Sequence, residues 1–166
     1  MAVASTGTAK VTLPKDEQIL ITREFNAPKD LVYKAYTEPK LVKRWWSGQR
    51  GEMTSCEIDL RVGGTWRYVM VATNGFEVAF HGEYRDLVPN ERIVTTEVYE
   101  GLPEDQQPEE DVVNIVSFTE ADGRTTLTLL VQTPSKEVRD AIINSGMEGG
   151  MQEGMDLLEQ VAISLR

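Results

Sequence analysis

The chain holds one cysteine, Cys56, and one histidine, His81, among 166 residues. A lone cysteine excludes an intramolecular disulfide and suits a reducing compartment. The two together fall short of the nitrogen and sulfur ligands of an ordinary zinc site. The carboxylates are scattered along the chain without calcium-loop spacing, so no metal is expected. Long apolar runs are missing as well: none approaches the ~18 residues of a membrane span. Residues Met1 to Lys15 are small and polar with no hydrophobic centre, unlike a secretory signal. These absences set the expectation of a cytoplasmic protein. Positive charge is scarce, with 17 Lys and Arg against 27 Asp and Glu and a net charge of −10. That balance excludes the phosphate grip of a nucleic-acid binder and docking on anionic lipid. No phosphate cradle is present either. Gly63-Gly64 sits in a hairpin, and Gly146-Met147-Glu148-Gly149-Gly150 has neither a preceding strand nor a Lys-Ser/Thr pair. No cofactor is expected.

What is there is ordinary globular composition, 40% apolar and 27% charged, in a length that suits one domain. Residues 1–16 lack periodicity and read as a flexible tail, leaving 17–166 as the folded domain. A strand is expected over Gln18–Phe25. Pro28 then opens a helix running to about Tyr36. Thr37 as N-cap and Pro39 in the first turn announce a second short helix ending near Trp46. From Met53 the hydrophobic period becomes two. Met53–Leu60 sets Cys56, Ile58 and Leu60 against charged neighbours. Thr65–Thr73 sets Trp66, Tyr68 and Met70 against Arg67, and Glu77–Val88 sets Phe80, Gly82 and Tyr84 against His81, Glu83 and Arg85. Further strands follow at Glu91–Glu100, Val112–Thr119 and Thr125–Thr133. Gly63-Gly64, Asn74-Gly75, Pro89-Asn90 and Asp122-Gly123 supply the turns. The acidic segment Gly101–Asp111 reads as a solvated loop. Seven strands in an antiparallel meander result.

The C-terminal segment is helical. Ser135 caps a short helix to Ile143, and a longer amphipathic one begins near Gly146. Met147, Gly150, Met151, Gly154, Met155, Leu158, Val161 and Ala162 share its apolar half; Asp156 and Glu159 fall on the polar half. Interior glycines cost about 1 kcal/mol each relative to alanine. Those here mark a close backbone approach, space kept for a ligand, or a helix that starts only after Gly150.

Several motifs, taken together, resemble a known family. They are Ala27-Pro28, Val32-Tyr33 and Tyr36-Thr37-Glu38-Pro39 leading to Trp45-Trp46; Asp59-Leu60-Arg61-Val62-Gly63-Gly64-Thr65-Trp66-Arg67; Gly82-Glu83-Tyr84 followed by Glu91-Arg92-Ile93-Val94; and the glycine-rich opening of the last helix. The combination is similar to the activator-of-heat-shock-protein-ATPase-like branch of the START-related SRPBCC superfamily, over Glu17 to Leu165. The resemblance implies an α+β helix-grip fold: a curved antiparallel sheet around a long C-terminal helix, with two short helices after the first strand. It also implies a cavity between sheet and helix that in relatives holds lipids, polyketides or other apolar molecules. Two departures stand out. Ser47-Gly48 follows the paired tryptophans where relatives often carry proline, and no counterpart of the eukaryotic co-chaperone's separate N-terminal domain is present.

Within this frame the candidate ligand-binding residues are Trp46, Trp66, Tyr68, Met70, Phe80, Tyr84, Met147, Met151 and Met155. An aromatic and thioether set at strand and helix spacing is commonly core. Methionine, however, adapts to irregular space, and ligand pockets are mostly apolar with a few polar hooks. Tyr68 and Tyr84 are the natural hooks, with Asn114 a third. Cys56 reads as core, and His81 faces away from the concave side. No catalytic residue is assigned. The expected function is non-catalytic binding of a small apolar or aromatic molecule. The alternatives are an aromatase/cyclase-type enzyme using Tyr68 or Tyr84, and a chaperone-associated module. A homodimer through the outer face at Arg67, Val69 and Val71 is the expected assembly.

Overall fold

The computed structural model describes residues 9–48, 50–108 and 110–166. Eight antiparallel strands form one sheet: β1 (Lys10–Thr12), β2 (Gln18–Phe25), β3 (Gly51–Ile58), β4 (Thr65–Ala72), β5 (Glu77–Val88), β6 (Arg92–Tyr99), β7 (Val112–Ala121) and β8 (Arg124–Gln132). Their spatial order is β1-β2-β8-β7-β6-β5-β4-β3. The eighth strand is β1, which pairs with β2 through Lys10↔Thr22 and Val11↔Ile21 inside the segment expected to be a loose tail. The rest of that expected tail, 1–8, lies outside the described residues. Three residues carry too little periodicity to signal a strand on their own; pairing with a strong neighbour makes them one.

Helices α1 (Lys29–Thr37) and α2 (Pro39–Val42) follow β2, and α3 (Lys136–Asn144) and α4 (Met147–Ser164) close the chain. Thr37 is not the cap of α2. It is the last residue of α1, and its hydroxyl donates to the Tyr33 carbonyl at 2.8 Å. The N-cap of α2 is Glu38, and that helix ends at Val42, so Trp46 sits in the turns beyond it. Ser135 caps α3 by accepting from the Val138 N–H at 3.2 Å. Gly146, at φ +84°, separates α3 from α4 in a left-handed conformation open to glycine. Because α4 starts at Met147, Gly149, Gly150 and Gly154 all lie within it.

Cross-strand register fixes which residues face α4. The row Ile21↔Leu129↔Val116↔Ile93 lines one stretch of that face. Trp66↔Gly82 and Cys56↔Tyr68↔Phe80↔Tyr99 line another. As expected from the alternation, Trp66, Tyr68, Phe80 and Tyr84 belong to the inner core, while Arg67 and His81 are exposed on the far side. Leu60, expected to continue the inward set, lies beyond the end of β3 and is exposed.

The inner face is unevenly filled. Over β2, β7 and β8 it is closely packed: Ile19, Phe25, Val32, Leu127, Leu158 and Ala162 are fully buried, and Leu129 is half-buried. Arg23 lies among them, with Nη1 at 2.7 Å from Asp156 Oδ1 and Nη2 at 3.3 Å from Glu159 Oε1. Glu159, expected on the solvent half of the helix, is buried; its second oxygen accepts from the Asn26 N–H at 2.8 Å. Two buried charges satisfy one another here, and the pair ties α4 to β2.

Candidate functional site

Over β3 to β6 the inner face differs. Cys56, Ile58, Tyr68, Met70, Phe80, Glu97 and Tyr99 point inward by register yet keep part of their surface accessible. From the helical side Tyr36, Trp46, Met147 and Met151 are likewise half-buried and pack on the core. Aromatic rings meet edge to face or tilted, the geometry that ring quadrupoles favour. Trp66 lies 4.7 Å from Tyr68, Trp46 lies 5.2 Å from Tyr68 and 5.4 Å from Phe80, and Phe80 lies 5.2 Å from Tyr99.

Of the nine residues proposed from sequence, Trp46, Trp66, Tyr68 and Phe80 form one continuous aromatic cluster. Tyr84 is 4% exposed, two residues from Gly82 on β5. Met70 pairs with Met53 and Val78 toward the sheet edge. Met147 and Met151 stand half-buried in the first turns of α4, whereas Met155 is buried in the closely packed core. Trp66 passes over Gly82 to donate its indole N–H to the Thr96 carbonyl at 3.2 Å, and a Cβ at Gly82 would collide with that carbonyl.

The glycines of α4 do not face open space, as one reading of the sequence held. A Cβ on Gly154 would sit 3.3 Å from the Trp45 carbonyl and 3.7 Å from that of Trp46. Gly149 and Gly150 lie under the Arg50 side chain, which pairs with Glu153 at 3.4 Å. They permit the segment after α2 to lie close on the helix.

Sequence reasoning missed the polar residues of this face. Glu97 faces inward on β6, and its Oε1 accepts from Asn114 Nδ2 at 3.0 Å. Burial pushes its carboxyl above the usual range, with the Asn114 bond opposing. Burial also raises the phenols of Tyr36, Tyr68 and Tyr84, and raises the Cys56 thiol to about 11. At neutral pH these are therefore neutral hydrogen-bond donors, not bases. On the outer face Glu100 accepts from Arg67 at 2.9 Å and lies 2.8 Å from His81 Nδ1, and it is held down to about 2, first by the Arg67 bond. His81 thus belongs to an exposed ion cluster remote from the aromatic set.

Two surface depressions lie elsewhere. One of about 250 Å³ is lined by Pro108, Pro134, Ser135 and Val138. Another of about 410 Å³ is lined by Arg85, Glu110, Asp111 and Val113. The 101–111 loop carries a short 3-10 turn, Glu104–Gln106, and its Leu102 is 36% exposed, so it stands as a solvated connection. Among the described residues, no group of three or more His, Cys, Asp and Glu side chains is arranged to hold a metal, and no helix is long and apolar enough to cross a membrane.

An eight-stranded antiparallel sheet embracing a C-terminal helix defines an α+β protein of helix-grip architecture. Solved structures share it. A crystal structure from Rhodobacter sphaeroides is 22% identical with a TM-score of 0.85, covering 95% of this chain and 99% of its own. One from Mycobacterium smegmatis is 23% identical with a TM-score of 0.81, covering 93% and 96%. A solution structure from Arthrobacter aurescens is 20% identical with a TM-score of 0.80, covering 93% and 91%. No curated protein matches the chain. The family model described as "Activator of Hsp90 ATPase homolog 1-like protein" matches residues 26–162, and the chain belongs to that family.

Proposed function

We propose that this protein binds a small apolar or aromatic molecule between the β3–β6 half of the sheet and α4, without covalent chemistry. One observation carries the reading: Trp46, Tyr68, Phe80, Met147 and Met151 face the interior yet stay half-buried, while most of the aliphatic half of the same face is fully buried. Large apolar side chains held partly wet on a concave face gain free energy when an apolar molecule covers them, at roughly 25 cal/mol per Å². The backbone of α4 packs on α1 and α3, and side chains span the distance from α4 to the sheet. The raised phenols favour binding over acid–base catalysis at neutral pH. The binding unit is the sheet with β1 included together with its helices, and the protein acts in the cytoplasm.

Titration with Nile red, a neutral dye that brightens in apolar surroundings, tests this. Saturable uptake is expected, weakened about fivefold to tenfold by Phe80→Ala through lost ring contacts. A folded wild-type protein that takes up no dye would overturn it. Family membership supports a second reading, a surface that engages a heat-shock-protein ATPase. Stimulation of a chaperone ATPase that survives Phe80→Ala would favour it. Pairing of two copies through the outer face around Arg67, Val69 and Val71, where Val69 is 6% exposed and Arg67 and Val71 offer the accessible surface, completes the proposal, and a sedimentation mass near 18.6 kDa would contradict it.

A further inference from the structure

The inner face carries a polar pole that an apolar ligand alone would leave unanswered. Glu97 lies beside Gly82, between the pairs His81↔Val98 and Tyr84↔Thr95, and is steadied through Oε1 by Asn114. Tyr84 stands next to it on β5, pairing with Thr95 two residues along β6, Tyr68 pairs with Phe80 on the same face, and Tyr36 packs on the core from α1; Tyr36 and Tyr68 also feel the Glu97 charge. Among the described residues, the three phenol hydroxyls and Glu97 Oε2 have no hydrogen-bond partner, yet none of these oxygens is sealed off. Tyr84 is only 4% exposed, and its hydroxyl, without a protein partner, depends on that narrow access to water. These oxygens are open to water, and a ligand that covers them and excludes that water must replace its hydrogen bonds, since desolvating a hydroxyl or carboxyl without one is costly.

Resting on the binding reading above, we propose that Glu97 and Tyr84 anchor a neutral hydroxyl group carried by an aromatic ligand. The ligand O–H donates to Glu97 Oε2, and its oxygen accepts from a phenol. A single hydroxyl is both donor and acceptor, and so satisfies both kinds of group at once. A carboxylate ligand is disfavoured. It would enter beside Glu97, and the inward-facing strand cation, Arg23, is already engaged by Asp156 and Glu159. Lys43 is exposed and acts on Cys56, whereas burial and the Asn114 bond set the balance at Glu97.

Three probes of one ring system separate the possibilities: 2-naphthol, 2-methylnaphthalene and 2-naphthoate, each measured by displacement of Nile red. On the wild-type chain naphthol is expected to bind about tenfold more tightly than methylnaphthalene, the scale of one hydrogen bond to a charged or strongly polar group. Naphthoate is expected to bind more weakly than naphthol by a similar factor. Glu97→Leu should bring the naphthol-to-methylnaphthalene ratio near one, and Glu97→Gln should recover naphthoate binding. Asn114→Leu, which frees Glu97 without removing it, should reduce the naphthol preference only in part. An unchanged preference in Glu97→Leu, or tighter binding of naphthoate than of naphthol by the wild type, overturns the anchor while leaving apolar binding intact. If Nile red itself does not bind, the binding reading fails and the anchor falls with it.

Discussion

Replacing Gly154 separates close packing from open space beside α4. The Cβ of an alanine there would lie 3.3 Å from the Trp45 carbonyl oxygen, 3.7 Å from that of Trp46 and 3.9 Å from Trp45 Cε3. The first distance is tight, so the segment after α2 must yield by a few tenths of an ångström. Helix propensity favours alanine by about 1 kcal/mol. The two effects oppose, and Gly154→Ala should change stability by less than about 1 kcal/mol. Leucine adds three more carbons against the same backbone wall. Trp45 has little freedom to retreat, because it is buried and its indole N–H donates to the Ala35 carbonyl at 2.9 Å. Overpacking of this kind costs about 1–3 kcal/mol. Urea melts of the three proteins, fitted with a common slope, read the difference as a shift in midpoint. Nile red affinity should be unaffected by Gly154→Ala, because the residue faces Trp45 and not the Tyr68–Phe80 cluster. If Gly154→Leu proved as stable as the wild type and lost dye uptake, the space beside Gly154 would be open and the close approach wrong.

Glu159→Ala removes the fully buried partner of Arg23 and should cost about 3–5 kcal/mol, toward the lower end because Asp156 remains; a loss under about 1 kcal/mol in urea would show that the pair does not hold α4. Glu97→Gln should raise the urea midpoint at neutral pH. A carboxyl raised in the fold contributes stability below its unfolded value of 4.5 that is lost as pH rises through the folded value, so the difference between the two proteins should vanish in acid and grow toward neutrality. A constant difference across that window would contradict the assignment. The Cys56 thiol, raised to about 11 by burial, should react with Ellman's reagent far more slowly at pH 8 than a free thiol does, and more slowly still with dye bound. Reaction at the free-thiol rate would place it outside the site.

Alternation placed the strands and their faces well, because β4 and β5 carry unbroken patterns such as Trp66, Tyr68 and Met70 against Arg67. Turn chemistry did the same for Asp122-Gly123, where both residues hold positive φ, at 55° and 75°. Three features escaped. Strand β1 is too short to show a period and exists through its pairing with β2. Glu159 reads as solvent-facing on a wheel that considers one helix alone; it is buried because Arg23 stands opposite on β2, and the signal was an arginine at the inward phase of Gln18–Phe25. Glu97 shares the phase of Ile93 and Tyr99, so a charge at an inward position was visible in the sequence, but its partner Asn114 lies on another strand. For the two glutamates a contact distant in sequence decided the outcome. The glycines of α4 failed for a related reason, since what they accommodate, Trp45 and Arg50, comes from a loop about a hundred residues away in the chain.

Methyl NMR of the chain labelled at methionine offers the most direct view of ligand binding. Met147 and Met151 are half-buried at the start of α4 and Met70 is half-buried on β4, one strand in from the sheet edge, while Met53 and Met155 are buried in the core. Titration with 2-naphthol should shift Met147 and Met151 in a saturable manner, with the Met155 signal moving least. Saturable shifts of Met155 alone, or no shift at any of these methyls while the protein stays folded, would contradict binding between the sheet and α4.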